Sequence, residues 1–189
     1  MDLPWGDERT VQFITNVGLI TTDGPVGPNI MAAEWTHHVS YSPGLIAVCV
    51  GKSNQATSVN IQKTKEFGVS LTAIDQSVLA SVAGGSSGLE TDKIKALQEL
   101  GFKFYKAKKI KGLMVEGAAM NAECKLVKTL DIGSHTIFIG EVLEASATKG
   151  KEPLAYHKGK YWKMTENIQR PTEEKRESIK KIIGKYRKD

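Results

Sequence analysis

A chain of 189 residues is long enough for one domain with its own hydrophobic core, without disulfide or metal cross-links. Its 40% hydrophobic and 25% charged residues are ordinary for a globular protein and exclude a disordered or fibrous chain. Residues 163–189 contain nine Lys or Arg and five Asp or Glu, so this tail carries +4 of the net charge of +5. The remainder is nearly neutral, which argues against a basic nucleic-acid-binding face.

The sequence carries no export or membrane signal. Cys49 and Cys124 lie in apolar runs, where we expect buried free thiols and a reducing compartment. The acidic start lacks the basic patch and apolar run of a secretory signal. The longest apolar stretch, 44–51, is too short to cross a bilayer. We therefore expect a cytoplasmic protein without membrane contact.

The first half of the chain is predicted to form strands and one helix. Residues 11–22 have the apolar spacing of a long strand, and another strand follows Pro28. The glycine-bounded run 44–51 is typical of a buried strand, whereas 67–72 alternates like a half-buried one. Between them, 54–65 favours a helix.

The second half adds short helices and a hairpin. Helices are predicted over 75–83 and 91–100, the latter with Thr91 as its N-cap. Long strands at 113–127 and 135–147, joined by a turn, predict a β-hairpin. Because strands dominate without regular strand–helix alternation, the predicted fold class is mainly β with helices, as an antiparallel β-barrel.

The tail is predicted to be helical from Pro171, with acids early and bases late as the helix dipole prefers. It contains an apolar stripe at helical spacing: Ile179, Ile182, Ile183 and Tyr186. This stripe must bury against its own domain or a second copy of the chain. We therefore expect a domain over 1–162 and a basic helical extension over 163–189. Nucleic-acid binding by the tail is the distant alternative, and it predicts affinity that falls steeply with salt.

Gly51-Lys52-Ser53 looks like the end of a phosphate-binding P-loop. That loop requires its first glycine at the position of Ile46, so a P-loop nucleotide site is excluded. A strand that ends at Gly51 before a helix can still bind an anion through backbone N–H groups, Lys52 and Ser53. An ordinary capped helix with a surface lysine fits the same spacing.

Other motifs are weaker. Residues 84–88 match the letters of a serine-hydrolase elbow, with Asp131 and His135 in hydrolase order, but a predicted helix stands where the elbow needs a strand. We interpret this segment as a Gly/Ser loop. The four histidines lack metal-site spacing, so no metal is expected. No GxGxxG follows a strand, which excludes a Rossmann nicotinamide site.

Seven segments in order resemble the flavin-reductase-like FMN-binding family. Pro28–Trp35 is similar to the family's Asn-x-Met-Ala-Ala signature with an aromatic residue after it, and Ser87–Lys93 to its Ser-Gly-x-x-x-Asp-Lys turn. Ser134–Val142 resembles its Asp-His-x-Ile-Phe-Val-Gly-Glu-Val strand, with Ser134 in place of Asp. The other segments are 17–22, 39–46, 67–71 and 159–162.

The resemblance implies an FMN-binding split β-barrel with short peripheral helices and a C-terminal helix, assembled as a homodimer. The cofactor-binding residues that it implies are Asn29, Met31, Ala32, Ala33, Glu34, Trp35, Gly51, Lys52, Ser53, Thr57 and Ser87. His135 is the candidate catalytic residue, as a hydrogen-bond donor to the flavin ring or a proton source. A satisfied strand histidine is the alternative.

Each group of residues has an implied role toward FMN, which needs an anion site, an apolar slot and hydrogen-bond donors. Lys52, Ser53 and Thr57 would meet the phosphate at the helix start. Ala32 and Ala33 would let the ring lie against backbone amides. Asn29 and Glu34 would line the ribityl or ring side of the flavin, and Trp35 would stack on the ring or wall the pocket.

The implied activity is that of an NAD(P)H-dependent flavin reductase, which transfers hydride from NADH or NADPH to flavin. The protein would act by positioning the two rings and excluding water, so no side-chain nucleophile is needed. An FMN electron carrier reduced by a redox protein partner is one alternative. A non-catalytic flavin-binding module is the other.

Overall fold

The computed structural model describes residues 1–53 and 55–187, which form a mainly antiparallel β structure with four helices. The strands are β1 (Thr15–Asn16), β2 (Gly18–Gly24), β3 (Gly27–Ala33), β4 (Thr36–Tyr41), β5 (Gly44–Gly51), β6 (Glu66–Leu71), β7 (Phe104–Lys106), β8 (Leu113–Val115), β9 (Met120–Ile132), β10 (His135–Ala147), β11 (Ala155–His157) and β12 (Lys160–Trp162). The helices are α1 (Gln55–Thr64), α2 (Ser77–Gly85), α3 (Lys93–Glu99) and α4 (Glu173–Lys185). A short 3-10 turn, Thr10–Gln12, precedes β1.

Seven strands form one antiparallel sheet in the order β3-β2-β6-β9-β10-β5-β4. Its two edge strands, β3 and β4, are consecutive in the chain, and only Glu34 and Trp35 separate them. Neighbouring strands lie about 4.8 Å apart, so this link cannot span a flat seven-stranded sheet, and the sheet curls until its edges approach. In the described part of the chain no ladder joins β3 to β4, and the barrel stays open along this seam. The predicted fold class is confirmed.

Two apolar cores lie on opposite faces of β2 and β3. Ile20 and Met31 belong to the core inside the barrel, which Phe67 and Phe138 share. Their neighbours in sequence, such as Ile30, belong to a second core beneath α2 and α3. Because successive side chains of a strand point to opposite faces, these two strands are buried on both sides.

Helix α1 is held against the β2–β3 hairpin by Asn60, which is fully buried. Its side-chain amide donates to the Thr22 hydroxyl (3.1 Å) and to the Gly27 carbonyl (2.9 Å). Its side-chain oxygen accepts from the Val26 N–H (3.0 Å). Each polar atom of the amide thus has a partner, and the middle of α1 is fixed against the β2–β3 hairpin.

The predicted strand over 11–22 is wrong in its first half. Thr10–Gln12 is a 3-10 turn, and the strand of the main sheet begins at Gly18. Phe13 and Ile14, which suggested a strand, are 72% and 69% exposed. Phe13 faces the cavity described below, so its apolar character reflects that cavity and not a buried strand.

The burial predicted for β5 and β6 is wrong for both strands: β5 is half-buried, and β6 is the strand that is buried on both faces. Along β5, buried and half-buried residues alternate, because only one face meets the core. Strand β6 is continuously buried over 67–70, because it runs between β2 and β9 with packing on both faces. Alternating polar residues in β6 therefore did not indicate a solvent-facing side.

Turn and cap details also differ from the predictions. The N-cap of α3 is Asp92, whose carboxylate accepts from the Lys95 N–H at 3.1 Å, and not Thr91. The predicted hairpin is present as β9–β10, but the strand predicted over 113–127 is wrong, because 113–115 form β8 in a separate sheet and β9 begins at Met120. The turn of the hairpin is only Gly133-Ser134, with Gly133 at φ +50°. Pairing of Ile132 with His135 extends the ladder right up to this turn.

Helix α4 begins where the sequence predicts, with Thr172 as its N-cap. None of the residues of α4 is buried, and the apolar stripe is exposed. The stripe therefore does not pack on its own domain, and a second copy remains the predicted partner.

We expect Gly140→Ala to lower the free energy of unfolding by about 1–3 kcal/mol, because it overpacks the barrel core. A Cβ at Gly140 would lie 2.5 Å from Phe67 Cζ and 2.8 Å from Cys124 Cβ. Urea unfolding followed by circular dichroism measures the change. The control is Gly44→Ala, where the nearest atom is 3.8 Å away. An equal loss of stability in the two variants would contradict this explanation.

Candidate functional site

The main cavity of the described chain, about 500 Å³, lies at the seam. One side of the cavity is formed by residues 3–13, by β1 and by β11 with the turn after it. The other side is formed by the end of β3, the Glu34–Trp35 link, the end of β5 and the start of β10. This volume lies within the usual range of small-molecule sites, about 300–1,000 Å³. The cavity is therefore large enough for a cofactor ring.

Strand register brings Trp35, Gly51 and His135 to one wall. His135 pairs with Gly51 across β10 and β5. The Cys49 N–H donates to the Trp35 carbonyl at 3.0 Å, which fixes the link against β5. The rings of Trp35 and His135 then contact each other in a tilted arrangement, with centroids 4.6 Å apart and an angle of 37° between their planes.

The structure divides the predicted site residues between two places. The main cavity is lined by Met31, Ala32, Ala33, Glu34, Trp35, Gly51 and His135. A smaller cleft is lined by Asn29, Met31, Thr57 and Ser87, together with Gln55, Ala56, Ser86, Gly88 and Lys93. Met31 lines both, so the cavity and this polar cleft adjoin. Lys52 and Ser53 are exposed and line neither.

Several lining residues escaped the sequence analysis. The N-terminal segment supplies Leu3, Pro4, Trp5, Gly6, Thr10, Val11 and Phe13, and later segments supply Thr15, Cys49, Ser134, Tyr156, Lys158 and Gly159. The exposed apolar residues near the N-terminus were the only sequence signal for this wall. Tyr156 and Lys158 are brought there by pairing of β11 with β1, which no local pattern predicts.

Glu34 is the acidic residue of the main cavity. Burial of its half-exposed carboxyl raises its pKa, and a hydrogen bond with the side chain of Trp5 partly opposes this shift. Trp5 itself is 77% exposed. The N-terminal segment is thus attached to the cavity rim through a polar contact as well as through apolar residues.

His135 has a partly buried imidazole with a lowered pKa, and the cause is burial. Its Nδ1 lies 2.8 Å from the Ser134 hydroxyl. The serine therefore occupies the place where a carboxylate would otherwise orient the ring, without adding negative charge. A neutral imidazole offers one N–H donor and one acceptor at pH 7.

The polar cleft is built around the first turn of α1. The Asn29 amide donates to the Thr57 hydroxyl at 2.9 Å, which joins β3 to this turn. Lys93 is buried, and its ammonium group donates to the carbonyls of Ala83 (3.0 Å) and Ser86 (3.2 Å). Burial lowers the pKa of Lys93 to about 8.

Among residues 1–53 and 55–187, no three His, Cys, Asp or Glu side chains cluster as metal ligands. No helix in these ranges combines the length and the apolar character needed to cross a membrane.

Comparison with known proteins places the chain in a family. The model of the flavin reductase like domain matches residues 10–165, and the chain belongs to this family. An uncharacterized protein of Archaeoglobus fulgidus is 32% identical over 127 residues, which are 67% of this chain and 70% of that protein. The FMN reductase (NADH) RutF of Ancylobacter novellus is 27% identical over 145 residues, 77% of this chain and 76% of that protein.

A solved structure resembles the whole barrel. BorF, the flavin reductase component of a bacterial two-component tryptophan halogenase, superposes with a TM-score of 0.72 at 27% identity. The match covers 85% of this chain and 100% of BorF. The predicted family is therefore confirmed.

We expect His135 to titrate below its ordinary pKa of 6.5. The unfolded state then binds a proton at higher pH than the folded state, so His135 lowers the stability of the folded protein in acid. This cost disappears as pH rises above 6.5. Imidazole NMR shifts measure the midpoint, and His135→Gln assigns the signal. A midpoint above 6.5 would contradict the burial seen here.

Proposed function

We propose that this protein is an NAD(P)H-dependent flavin reductase that binds FMN in the main cavity and the polar cleft. The observation that carries the proposal is a cavity of about 500 Å³ lined by the family's signature segment and adjoining a cleft with a buried cation. Membership of the flavin reductase like family supports the reaction type. The names of the relatives support flavin and a nicotinamide as its reactants.

The residues present fit a flavin. The cavity wall combines an indole, Trp35, with small side chains at Ala32 and Ala33 that leave room for a flat ring. The polar cleft provides the hydroxyls of Thr57 and Ser87 and a lysine ammonium, which suit a phosphate. A lysine in the cleft suits a flavin that carries phosphate, and the FMN reductase among the relatives favours FMN as the flavin that we propose.

The protein's own residues act by binding and positioning. When bound, flavin supplies the acceptor for the nicotinamide hydride. Trp35 and the N-terminal segment wall the cavity and exclude water. A neutral His135 faces the same space and offers a hydrogen bond there without a charge. Because no side chain has to act as a nucleophile, we expect each single substitution to reduce turnover only in part.

Mixing the purified protein with FMN and then with NADH or NADPH, without oxygen, tests the proposal. We expect saturable binding and then loss of flavin absorbance at about 450 nm, since hydride transfer bleaches the oxidised ring. Binding without bleaching would favour the electron carrier or the passive module. If wild-type protein binds no flavin, the proposed function is wrong.

We further propose that α4 mediates homodimerisation through the apolar stripe. Ile182 and Ile183 are 53% and 65% exposed, although their helical spacing forms a continuous face. Solvent exposure of such a face is unfavourable by roughly 1.5–3 kcal/mol per large side chain that a partner would cover. The second copy of the same helix offers a matching surface across a two-fold axis.

Analytical ultracentrifugation tests this assembly. We expect a dimer at micromolar concentration, and a dissociation constant at least about tenfold higher for Ile182→Ser, since each side loses a buried side chain. The matched control is Lys181→Ser on the opposite face of α4, which should leave the constant unchanged. A wild-type monomer, or equal weakening by both variants, would refute the assignment.

A further inference from the structure

The N-terminal segment, residues 1–14, is folded on itself. The carboxylate of Asp7 accepts from the backbone N–H of Arg9 at 2.9 Å and pairs with its guanidinium group at 2.7 Å. The Thr10 hydroxyl lies 3.0 Å from the carbonyls of both Pro4 and Asp7, which share its single hydrogen. These local bonds, together with the 3-10 turn, give the segment a shape of its own.

Few contacts hold this segment to the rest of the protein. In the part of the chain that the structure describes, its hydrogen bonds have both partners inside the segment, apart from the contact of the Trp5 side chain with Glu34. None of residues 1–14 is buried. A segment with few buried contacts opens at a lower free energy than the sheet on which it lies.

Firm attachment to the domain begins directly after the segment. The Asn16 amide donates to the Thr36 carbonyl at 2.6 Å. Strand β1 pairs with β11 over the same residues. Residues 13–14 therefore connect a self-folded segment to a fixed strand, and the segment can move about this connection as one unit.

The apolar residues of the segment border the main cavity, which is lined by Leu3, Pro4, Trp5, Val11 and Phe13 among others. Trp5 and Phe13 are nevertheless 77% and 72% exposed. Large apolar side chains gain free energy when a ligand covers them. A flat ring in the cavity would cover apolar surface of Trp5 as well as that of Trp35.

Part of this wall lies outside the domain that the chain shares with its family. The match to the family begins at residue 10, whereas residues 3–6 already line the cavity. The signature segment Asn29–Trp35 lies inside the match. Trp5 is thus a cavity residue that the family's signature does not contain.

We propose that Trp5 is a flavin-binding residue, and that the N-terminal segment closes over the bound flavin and slows its release. This inference rests on the proposed function and deepens it, because a flavin that is released slowly stays in the protein between turnovers as a bound cofactor. The contact with Glu34 holds the indole at the cavity when the segment is closed. Movement about residues 13–14 lets flavin enter.

A protective role for the segment is the competing explanation. If the segment only shields the apolar surface beneath it, loss of Trp5 lowers the free energy of unfolding and leaves the rate of flavin release unchanged. If Trp5 binds flavin, its loss changes the release rate instead, since differences in affinity between related complexes arise mostly in dissociation. Measurement of both quantities separates the two roles.

Rapid dilution of the complex with FMN, followed by the return of flavin fluorescence, measures the release rate. We expect release from Trp5→Ala to be at least about fivefold faster than from wild type, because the ring loses an apolar contact. Trp5→Phe retains an aromatic ring and should release FMN more slowly than Trp5→Ala. The matched control is Ile14→Ala, because Ile14 is 69% exposed in the same segment and does not line the cavity. Unchanged release from Trp5→Ala, or equal acceleration by Ile14→Ala, would overturn the proposal.

A second variant tests the segment without altering the cavity. Asp7 does not line the cavity, but Asp7→Ala removes the bonds to Arg9 that shape the segment. We expect faster release of FMN from this variant, with an unchanged free energy of unfolding in urea. Release at the wild-type rate would refute closure by a folded segment.

Hydrogen exchange observes closure directly. The amides of Val11 and Phe13 donate to the carbonyls of Asp7 and Thr10, and FMN should slow their exchange if the segment closes over it. Equal exchange with and without bound FMN would contradict closure. FMN that is bound and reduced but released equally fast by wild type and Trp5→Ala would overturn this inference alone, whereas a wild type that binds no flavin would overturn the proposed function as well.

Discussion

Only Glu34 and Trp35 connect β3 with β4, the two edge strands of the main sheet. This short connection forces the sheet to curl, and the curl creates the seam. The cavity opens at the seam because the edge strands approach there without a ladder between them. The Thr36 hydroxyl, which donates to the Ala33 carbonyl at 3.1 Å, holds the connection in its bent form. The fold and the site thus depend on the same two residues.

The curled sheet also depends on glycines where strands and side chains crowd together. A Cβ at Gly18 would lie 2.3 Å from the Thr36 hydroxyl, and one at Gly68 equally close to the hydroxyl of Thr21. A side chain at either position would collide with these threonines and force them to shift. Close packing on both faces of β2 is therefore possible only with these small residues.

The cavity and the polar cleft differ in electrostatic character. Around the main cavity, burial disfavours the charged forms of Glu34 and His135. The cleft contains the buried ammonium of Lys93 and the start of α1. A ligand with a flat apolar ring at one end and an anion at the other matches this arrangement. Such a site binds and orients its ligand without a side-chain nucleophile.

The sequence by itself determined the family, the mainly β fold and the segments that surround the cavity, because strand periodicity and the Asn29–Trp35 signature are local patterns. It also located α4, whose caps and stripe depend only on neighbours in the chain. Burial of β5 and β6 was decided by sheet order, which local alternation does not encode. The wall formed by residues 3–13 likewise depends on tertiary packing. Lys93 lines the same cleft as Thr57 because the loop around Gly88 lies against the start of α1, whereas Lys52, close in sequence to this helix, is exposed and lines neither the cavity nor the cleft.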